Sequence, residues 1–225
     1  MTWIKICGIT NLEDAKVAVD AGADALGFVF HRQSPRYLTP EAAHKIIESV
    51  PETVERVAVF ANATAEEVAF AAKGSSATAI QILMHASRPD PAEDCPYCFE
   101  QLARGNPPLK LIPALSMQKE NPERAAMMWD PRAVHAFLLE SAARTGGTGC
   151  QFDWAANQVQ ANVIKGIGNI IVAGGLTPTN VGEAMRILKP WGVDVSSGVE
   201  AAPGKKDPVK VRAFIAAVRR ADTEL

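Results

Sequence analysis

The sequence predicts an α/β fold, a closed barrel of eight parallel strands each followed by a helix, with residues 1–225 forming a single domain. Three observations predict it. Short apolar runs recur along the whole chain with helical patterns between them. The runs are continuously apolar and do not alternate, as strands covered on both faces require. A length of 225 residues sits at the compact end of the (β/α)₈ or TIM barrel, whose usual size is roughly 250.

Taken in order, the first strand is Trp3–Ile6, extended by Cys7, which runs into the small turn Gly8-Ile9-Thr10 and a helix opened by Asn11-Leu12-Glu13-Asp14. The later strands are Ala25–Phe30, Arg56–Phe60, Ala77–Leu83, Leu109–Ala114, Ala136–Leu139, Asn169–Ala173 and Val193–Val195. Helix starts repeat one device, a capping side chain followed by proline, at Thr39-Pro40, Asn121-Pro122, Thr177-Pro178 and Asp207-Pro208. At the first helical position the missing proline N–H has no partner to lose. Thr64-Ala65-Glu66-Glu67 matches a capping box, and Gly22 and Gly74 are placed as helix ends. Two loops exceed the rest, Ser87–Asp94 and the glycine-rich Ser141–Phe152; neither marks a domain boundary.

A formal charge of −2 creates no general field for polyanions, so nucleic acid and membrane surfaces are not expected partners and any phosphate recognition must be local. The start lacks a secretory pattern, and no apolar run approaches the roughly 20 residues that span a bilayer. A cytoplasmic protein is expected, as monomer or homodimer. The cysteines Cys7, Cys95, Cys98 and Cys150 are too few and scattered for a disulfide framework and are read as thiols. Cys95-Pro96-Tyr97-Cys98 invites a redox or zinc reading, with His85 as a third ligand. Structural zinc wants four ligands, however, and nothing else here is thioredoxin-like, so neither is expected and the metal assignment is none. His44 and His135 are read as ordinary.

Barrels of this kind carry chemistry at the carboxyl ends of their strands. Cys7 ends the first strand, where gathered helix amino termini favour a thiolate. Ser34-Pro35-Arg36-Tyr37 follows the second strand, and a guanidinium held by a short proline loop is shaped to grip a carboxylate with two parallel hydrogen bonds. Gly146-Gly147-Thr148-Gly149 reads as a lid, with Asp153 as an N-cap. Ala173-Gly174-Gly175-Leu176 after the seventh strand and Ser196-Ser197-Gly198 after the eighth fit a phosphate cradle, so a small phosphorylated molecule is the expected ligand.

With these residues placed, the chain resembles the phosphoribosylanthranilate isomerase family of tryptophan biosynthesis, from Lys5-Ile6-Cys7-Gly8-Ile9-Thr10 to Pro203-Gly204-Lys205-Lys206-Asp207. Gly22–Phe30, Ser34–Tyr37, Gly146–Gly149, Phe152–Trp154 and Val193–Glu200 are the other segments that carry the likeness. The resemblance implies an Amadori rearrangement of N-(5′-phosphoribosyl)anthranilate that needs no metal or cofactor. It makes Cys7 the base that removes the sugar C2′ proton. Arg36 would hold the anthranilate carboxylate, and Gly175, Ser196, Ser197 and Gly198, with Gly174 beside them, the phosphate. Asp194 would orient the sugar hydroxyls.

The chain departs from the family pattern in three places. Glu140 stands where the family has an aspartate as the acid, one methylene longer; Asp153 or Asp194 is the substitute should it fail. The fourth-strand motif reads Gln81-Ile82-Leu83-Met84-His85, with its histidine displaced, and Cys150 replaces a residue of the lid that is often lysine or glutamine. The related isomerase of histidine biosynthesis has an aspartate at the end of strand one and needs a second phosphate site, so Cys7 argues against it. A barrel that binds sugar phosphates without turning them over is the other alternative, motivated by Glu140.

Overall fold

The computed structural model describes residues 1–83, 95–118, 121–141 and 151–224. Its strands are β1 (Trp3–Cys7), β2 (Ala25–Val29), β3 (Glu55–Ala61), β4 (Ala79–Leu83), β5 (Lys110–Ser116), β6 (Phe137–Glu140), β7 (Ile170–Val172) and β8 (Gly192–Val195). Each pairs in parallel with the next, and β8 pairs with β1 to close the barrel, as expected from the unbroken apolar runs. The helices are α1 (Leu12–Ala21), α2 (Pro40–Ile47), α3 (Ala65–Ser75), α4 (Pro96–Ala103), α5 (Pro122–Met127), α6 (Gln158–Lys165), α7 (Val181–Leu188) and α8 (Pro208–Glu224). The two long loops expected from sequence fall largely on residues 84–94 and 142–150, outside the described residues.

Strand alternation divides the apolar residues into two bodies. Ile4, Ile6, Leu26, Phe28 and Ile80 face outward and pack under the helices. Ala25, Val57, Ala79, Ile112, Leu138 and Ile171 face inward and fill the barrel. At its amino-terminal pole Trp3 stacks on Trp191 with ring centroids 5.2 Å apart, and His135 meets the same indole edge-on. The carboxyl-terminal pole, by contrast, is lined with polar side chains.

Several punctuation signals work as read. Asn11 accepts from the amide of Asp14, Thr39 from that of Ala42, and both halves of the Thr64–Glu67 capping box form. Asp207 accepts from the amides of Val209 and Lys210 at the start of α8. Gly22 ends α1 at φ 98°.

Asn121 precedes α5 as expected but is left-handed at φ 60° and makes no side-chain cap hydrogen bond, and two further signals are displaced. Thr177-Pro178 lies ahead of α7, whose N-cap is Asn180; the Asn180 side chain folds back to accept from the Thr177 amide, so an extra turn precedes the helix. Gly74 lies inside α3, and Ser76 takes the left-handed cap at φ 61°. A Cβ on Gly74 would meet that of Pro40 at 3.1 Å, so this glycine serves the close packing of α3 on α2.

Strands β9 (Glu200–Ala202) and β10 (Lys205–Lys206) form a small antiparallel hairpin behind β8 that the apolar pattern did not announce. Among the described residues no helix is long and apolar enough to cross a membrane.

Thr64→Ala removes an exposed capping box at the far end of α3 from its packing face. It should lower stability by about 1 kcal/mol, read as a urea midpoint shift with unchanged m-value. No shift would mean the cap is replaced by water without loss.

Candidate active site

Strand β1 delivers two inward side chains, Lys5 and Cys7, because Ile4 and Ile6 take the outward positions. Lys5 is fully buried, and its ammonium donates to Gln81 Oε1 of β4 at 2.7 Å and to Asp194 Oδ1 of β8 at 2.9 Å. Burial alone would drive this amine toward neutrality, but Asp194 and Cys7 outweigh it and hold Lys5 above its usual range. Gly27 of β2 stands in register with Cys7. A Cβ there would lie 2.7 Å from the Cys7 sulfur and 3.0 Å from Lys5 Cε, so only glycine leaves room for both.

Cys7 is buried at the barrel mouth. Burial, foremost, and the Asp194 carboxylate push its thiol up, against the opposing pull of Lys5, Lys206 and Arg36. Glu140 ends β6, opposite Ser116 in register, with β7 and β8 between it and β1 around the barrel. Burial first, then Asp194, raise the Glu140 carboxyl to about 7, with Lys5 opposing. At neutral pH Glu140 is therefore a proton-carrying acid in a substantial fraction of molecules. Two groups answering to the same Lys5 and Asp194 charges form one acid–base neighbourhood.

Arg36 makes a buried bidentate pair with Glu200, Nε to Oε1 at 2.8 Å and Nη2 to Oε2 at 2.7 Å. The expected two parallel hydrogen bonds thus exist, but to a carboxylate of the protein itself. The opposite edge of the guanidinium, Nη1 with the second Nη2 hydrogen, still presents a donor pair. Glu200 also accepts from the buried Lys206 ammonium at 3.0 Å. Burial would raise the Glu200 carboxyl, but Arg36 and Lys206 hold it below its ordinary value. Lys206 is lowered by burial, partly offset by Glu200. Gly8, at φ 77°, lies beneath this network; a Cβ would come within 2.4 Å of Arg36 Cδ and 3.0 Å of Ser196 Oγ.

The ends of β7 and β8 meet closely. Gly174 and Gly175 are both left-handed, at φ 80° and 65°. Among the described residues their amides donate to nothing, whereas the Gly175 carbonyl is turned away to accept from Gln151 and Asn180. Ser196 leads into a single 3₁₀ turn, Ser197–Val199, and among the described residues its buried hydroxyl has no hydrogen-bond partner. A Cβ on Gly198 would fall 1.8 Å from the Leu176 carbonyl oxygen, so the two loops touch only because that residue is glycine.

The predicted residues Cys7, Arg36, Glu140, Gly174, Gly175, Asp194, Ser196, Ser197 and Gly198 therefore share one pole, at the ends of β1, β2, β6, β7 and β8. His85, the glycine-rich lid and Cys150 lie outside the described residues. Asp153 accepts from the amide of Ala156 and so caps the turn that leads into α6. Lys5, Gln81, Glu200, Lys206 and Gly27 went unnoticed as site residues. The signal for Lys5 and Gln81 was a polar residue inside an otherwise apolar strand. No local pattern marks Glu200 or Lys206. Among the described residues no group of three or more His, Cys, Asp or Glu side chains could hold a metal ion.

Fold and site together define a (β/α)₈ barrel that gathers a buried thiol, a carboxyl and the touching glycine-rich loops after β7 and β8 at the carboxyl-terminal pole of its strands. Residues 4–217 match the family model described as N-(5′phosphoribosyl)anthranilate (PRA) isomerase. The isomerase of that name from Citrifermentans bemidjiense is 43% identical over 222 residues, covering 98% of each chain. That of Geobacter sulfurreducens is 41% identical over 216 residues, 96% of this chain and 97% of the relative. The crystal structure of phosphoribosyl anthranilate isomerase from Thermotoga maritima superposes with a TM-score of 0.82 at 36% identity, covering 98% of this chain and 100% of that one. The structure of such an isomerase in complex with reduced 1-(o-carboxyphenylamino)-1-deoxyribulose 5-phosphate gives 0.79 at 35% identity, with the same coverage. The chain belongs to the phosphoribosylanthranilate isomerase family.

The raised Glu140 carboxyl makes a stability prediction. Its folded value lies above its unfolded one, so the unfolded chain ionises first and stability falls as pH rises from about 4.5 to about 7. Glu140→Gln removes that loss and should stabilise the fold at pH 8 by at most about 3 kcal/mol, with the gain fading below pH 7 and gone near pH 4. A gain independent of pH, read from denaturant midpoints, would show that the carboxyl is not shifted.

Proposed function

We infer that the protein converts N-(5′-phosphoribosyl)anthranilate to 1-(2-carboxyphenylamino)-1-deoxyribulose 5-phosphate, an isomerisation in tryptophan biosynthesis, with Cys7 as base and Glu140 as acid. The observation that carries this assignment of roles is the Glu140 carboxyl raised to about 7 beside the charges that also act on Cys7. Glu140 delivers its proton to the ring oxygen as the furanose opens to the C1′ iminium. The Cys7 thiolate then removes the C2′ proton, and the resulting enaminol ketonises. The extra methylene of Glu140 keeps the carboxyl chemistry, and burial supplies the poise near neutrality that a general acid needs.

Arg36, already anchored by Glu200, offers its outer edge to the anthranilate carboxylate. The amides of Gly174 and Gly175, which donate to no described residue, receive the phosphate with Ser196, Ser197 and Gly198, and Asp194 the sugar hydroxyls. The reading takes residues 1–225 as one cytoplasmic domain, monomer or homodimer, whose partner is the small phosphorylated substrate alone.

Turnover is followed as loss of the anthranilate-adduct fluorescence. Cys7→Ala should abolish it, and Glu140→Gln should lower kcat by about 10² to 10⁴, while Glu140→Asp retains part of it. Near-normal turnover in Cys7→Ala rules that residue out as the base.

The active form carries Cys7 as thiolate and Glu140 protonated, the reverse of the main populations, yet the bell-shaped profile survives. The profile of kcat/KM should climb to about pH 7, stay level, and fall above the raised Cys7 value. In Glu140→Gln the break near pH 7 should vanish and residual activity climb on to the Cys7 value. A break that persists in that variant would transfer it to another group.

Gly198→Ala forces the β7 and β8 loops apart. Losing one charge-assisted hydrogen bond to phosphate should raise KM by roughly tenfold to a hundredfold with a smaller change in kcat. An unchanged KM would place the phosphate elsewhere.

A further inference from the structure

Cys95-Pro96-Tyr97-Cys98, which the proposed isomerisation does not use, opens α4 with Cys95 as N-cap in extended backbone and Pro96 at the first helical position. The Cys98 amide donates to the Cys95 carbonyl at 3.0 Å, closing one turn, and the two sulfurs come to lie 3.4 Å apart. Both residues are thiols and both are partly exposed, unlike the buried Cys7. The turn is held to the body of the barrel by the next two residues. Phe99 is fully buried against Trp129, ring centroids 6.4 Å apart, and Glu100 Oε1 accepts from the amide of Asp130 at 2.7 Å.

The sequence by itself lacked a context for redox chemistry here; the packing provides one. Cys95 is partly exposed and its sulfur faces that of Cys98, so it remains available for attack. The backbone amide and thiol of Cys98 hold it below its ordinary value, as expected of a thiol at a helix amino terminus. A disulfide needs the sulfurs at about 2.05 Å, which the short separation allows by side-chain rotation.

We propose that Cys95 and Cys98 are a redox-active dithiol that closes to an intramolecular disulfide by exchange with a low-molecular-weight disulfide such as glutathione disulfide. The Cys95 thiolate attacks one glutathione sulfur, forming a mixed disulfide and releasing one glutathione thiolate, which takes up a proton. Cys98 then loses its proton and attacks the Cys95 sulfur, expelling the second glutathione. The pair gives up two electrons and two protons, and one glutathione disulfide becomes two glutathione molecules.

The full chain is reduced, equilibrated without oxygen in buffers of varied glutathione and glutathione disulfide, quenched by acid and alkylation, and mapped by peptide mass. With glutathione disulfide in excess, a Cys95–Cys98 disulfide should predominate and reverse in excess glutathione. Cys98→Ser should trap glutathione on Cys95, and Cys95→Ser should trap it on Cys98 at least about threefold more slowly. Parental circular dichroism and unoxidised turnover verify that both variants fold. The proposal is overturned if both sulfurs remain alkylated thiols in excess glutathione disulfide, if the two variants trap glutathione equally fast, or if either sulfur pairs with Cys7 or Cys150.

Discussion

Lys5 places a positive charge inside the barrel mouth with no contact to water, and much of the site follows from neutralising it. The ammonium is held by Asp194 and Gln81, from β8 on one side and β4 across the barrel, so three strands are tied at the level where the mouth begins. Leaving one partner of such a pair unpaired in the interior is worth about 3–5 kcal/mol of instability. Gly27 is the corresponding vacancy in side-chain volume, since any Cβ there would collide with Lys5 and Cys7. Asp194, fixed by Lys5, then supplies the negative charge that helps lift both Cys7 and Glu140. Behind the larger effect of burial, a structural ion pair thereby biases the protonation of both groups.

The second charged group has a different balance. Arg36 and Lys206 share the single carboxylate of Glu200, leaving one positive charge in excess near the ends of β1, β2 and β8. The Lys206 ammonium also reaches the Ser196 carbonyl at 3.2 Å, linking this excess to the loop after β8. Lys5 with Asp194, by contrast, is neutral as a pair, and Glu140 beside it is only partly ionised near pH 7. The mouth is divided into a half whose charges nearly balance and a half with a positive excess. The β9–β10 hairpin exists within this second half, because it carries Glu200 on one strand and Lys206 on the other.

Much of this was legible before any coordinates. Unbroken apolar runs announced buried parallel strands, and Thr39, Thr64 and Asp207 announced their helices, because caps are local chemistry between residues two or three apart. The glycine pair at Gly174-Gly175 and the run Ser196-Ser197-Gly198 were legible for the same reason. Gly74 and Thr177 were misread because their roles depend on what packs against them: Pro40 of another helix in one case, the returning side chain of Asn180 in the other. Arg36 was recognised as a carboxylate clamp, but its first partner, Glu200, lies 164 positions away and leaves no trace in the local pattern.

Periodicity and residues adjacent in the chain determined the fold class, the strand ends and the thiol and glycines placed there, whereas the carboxyl, Glu140, was reached only through the family resemblance. Tertiary structure alone decided their protonation and their partners. Whether Glu140 is an acid near neutrality, whether Arg36 has an edge to spare, and whether Cys95 and Cys98 face one another all depend on burial and on charges brought together from distant strands. Solvent exclusion and Coulomb interaction act through space, and only the folded chain fixes those distances.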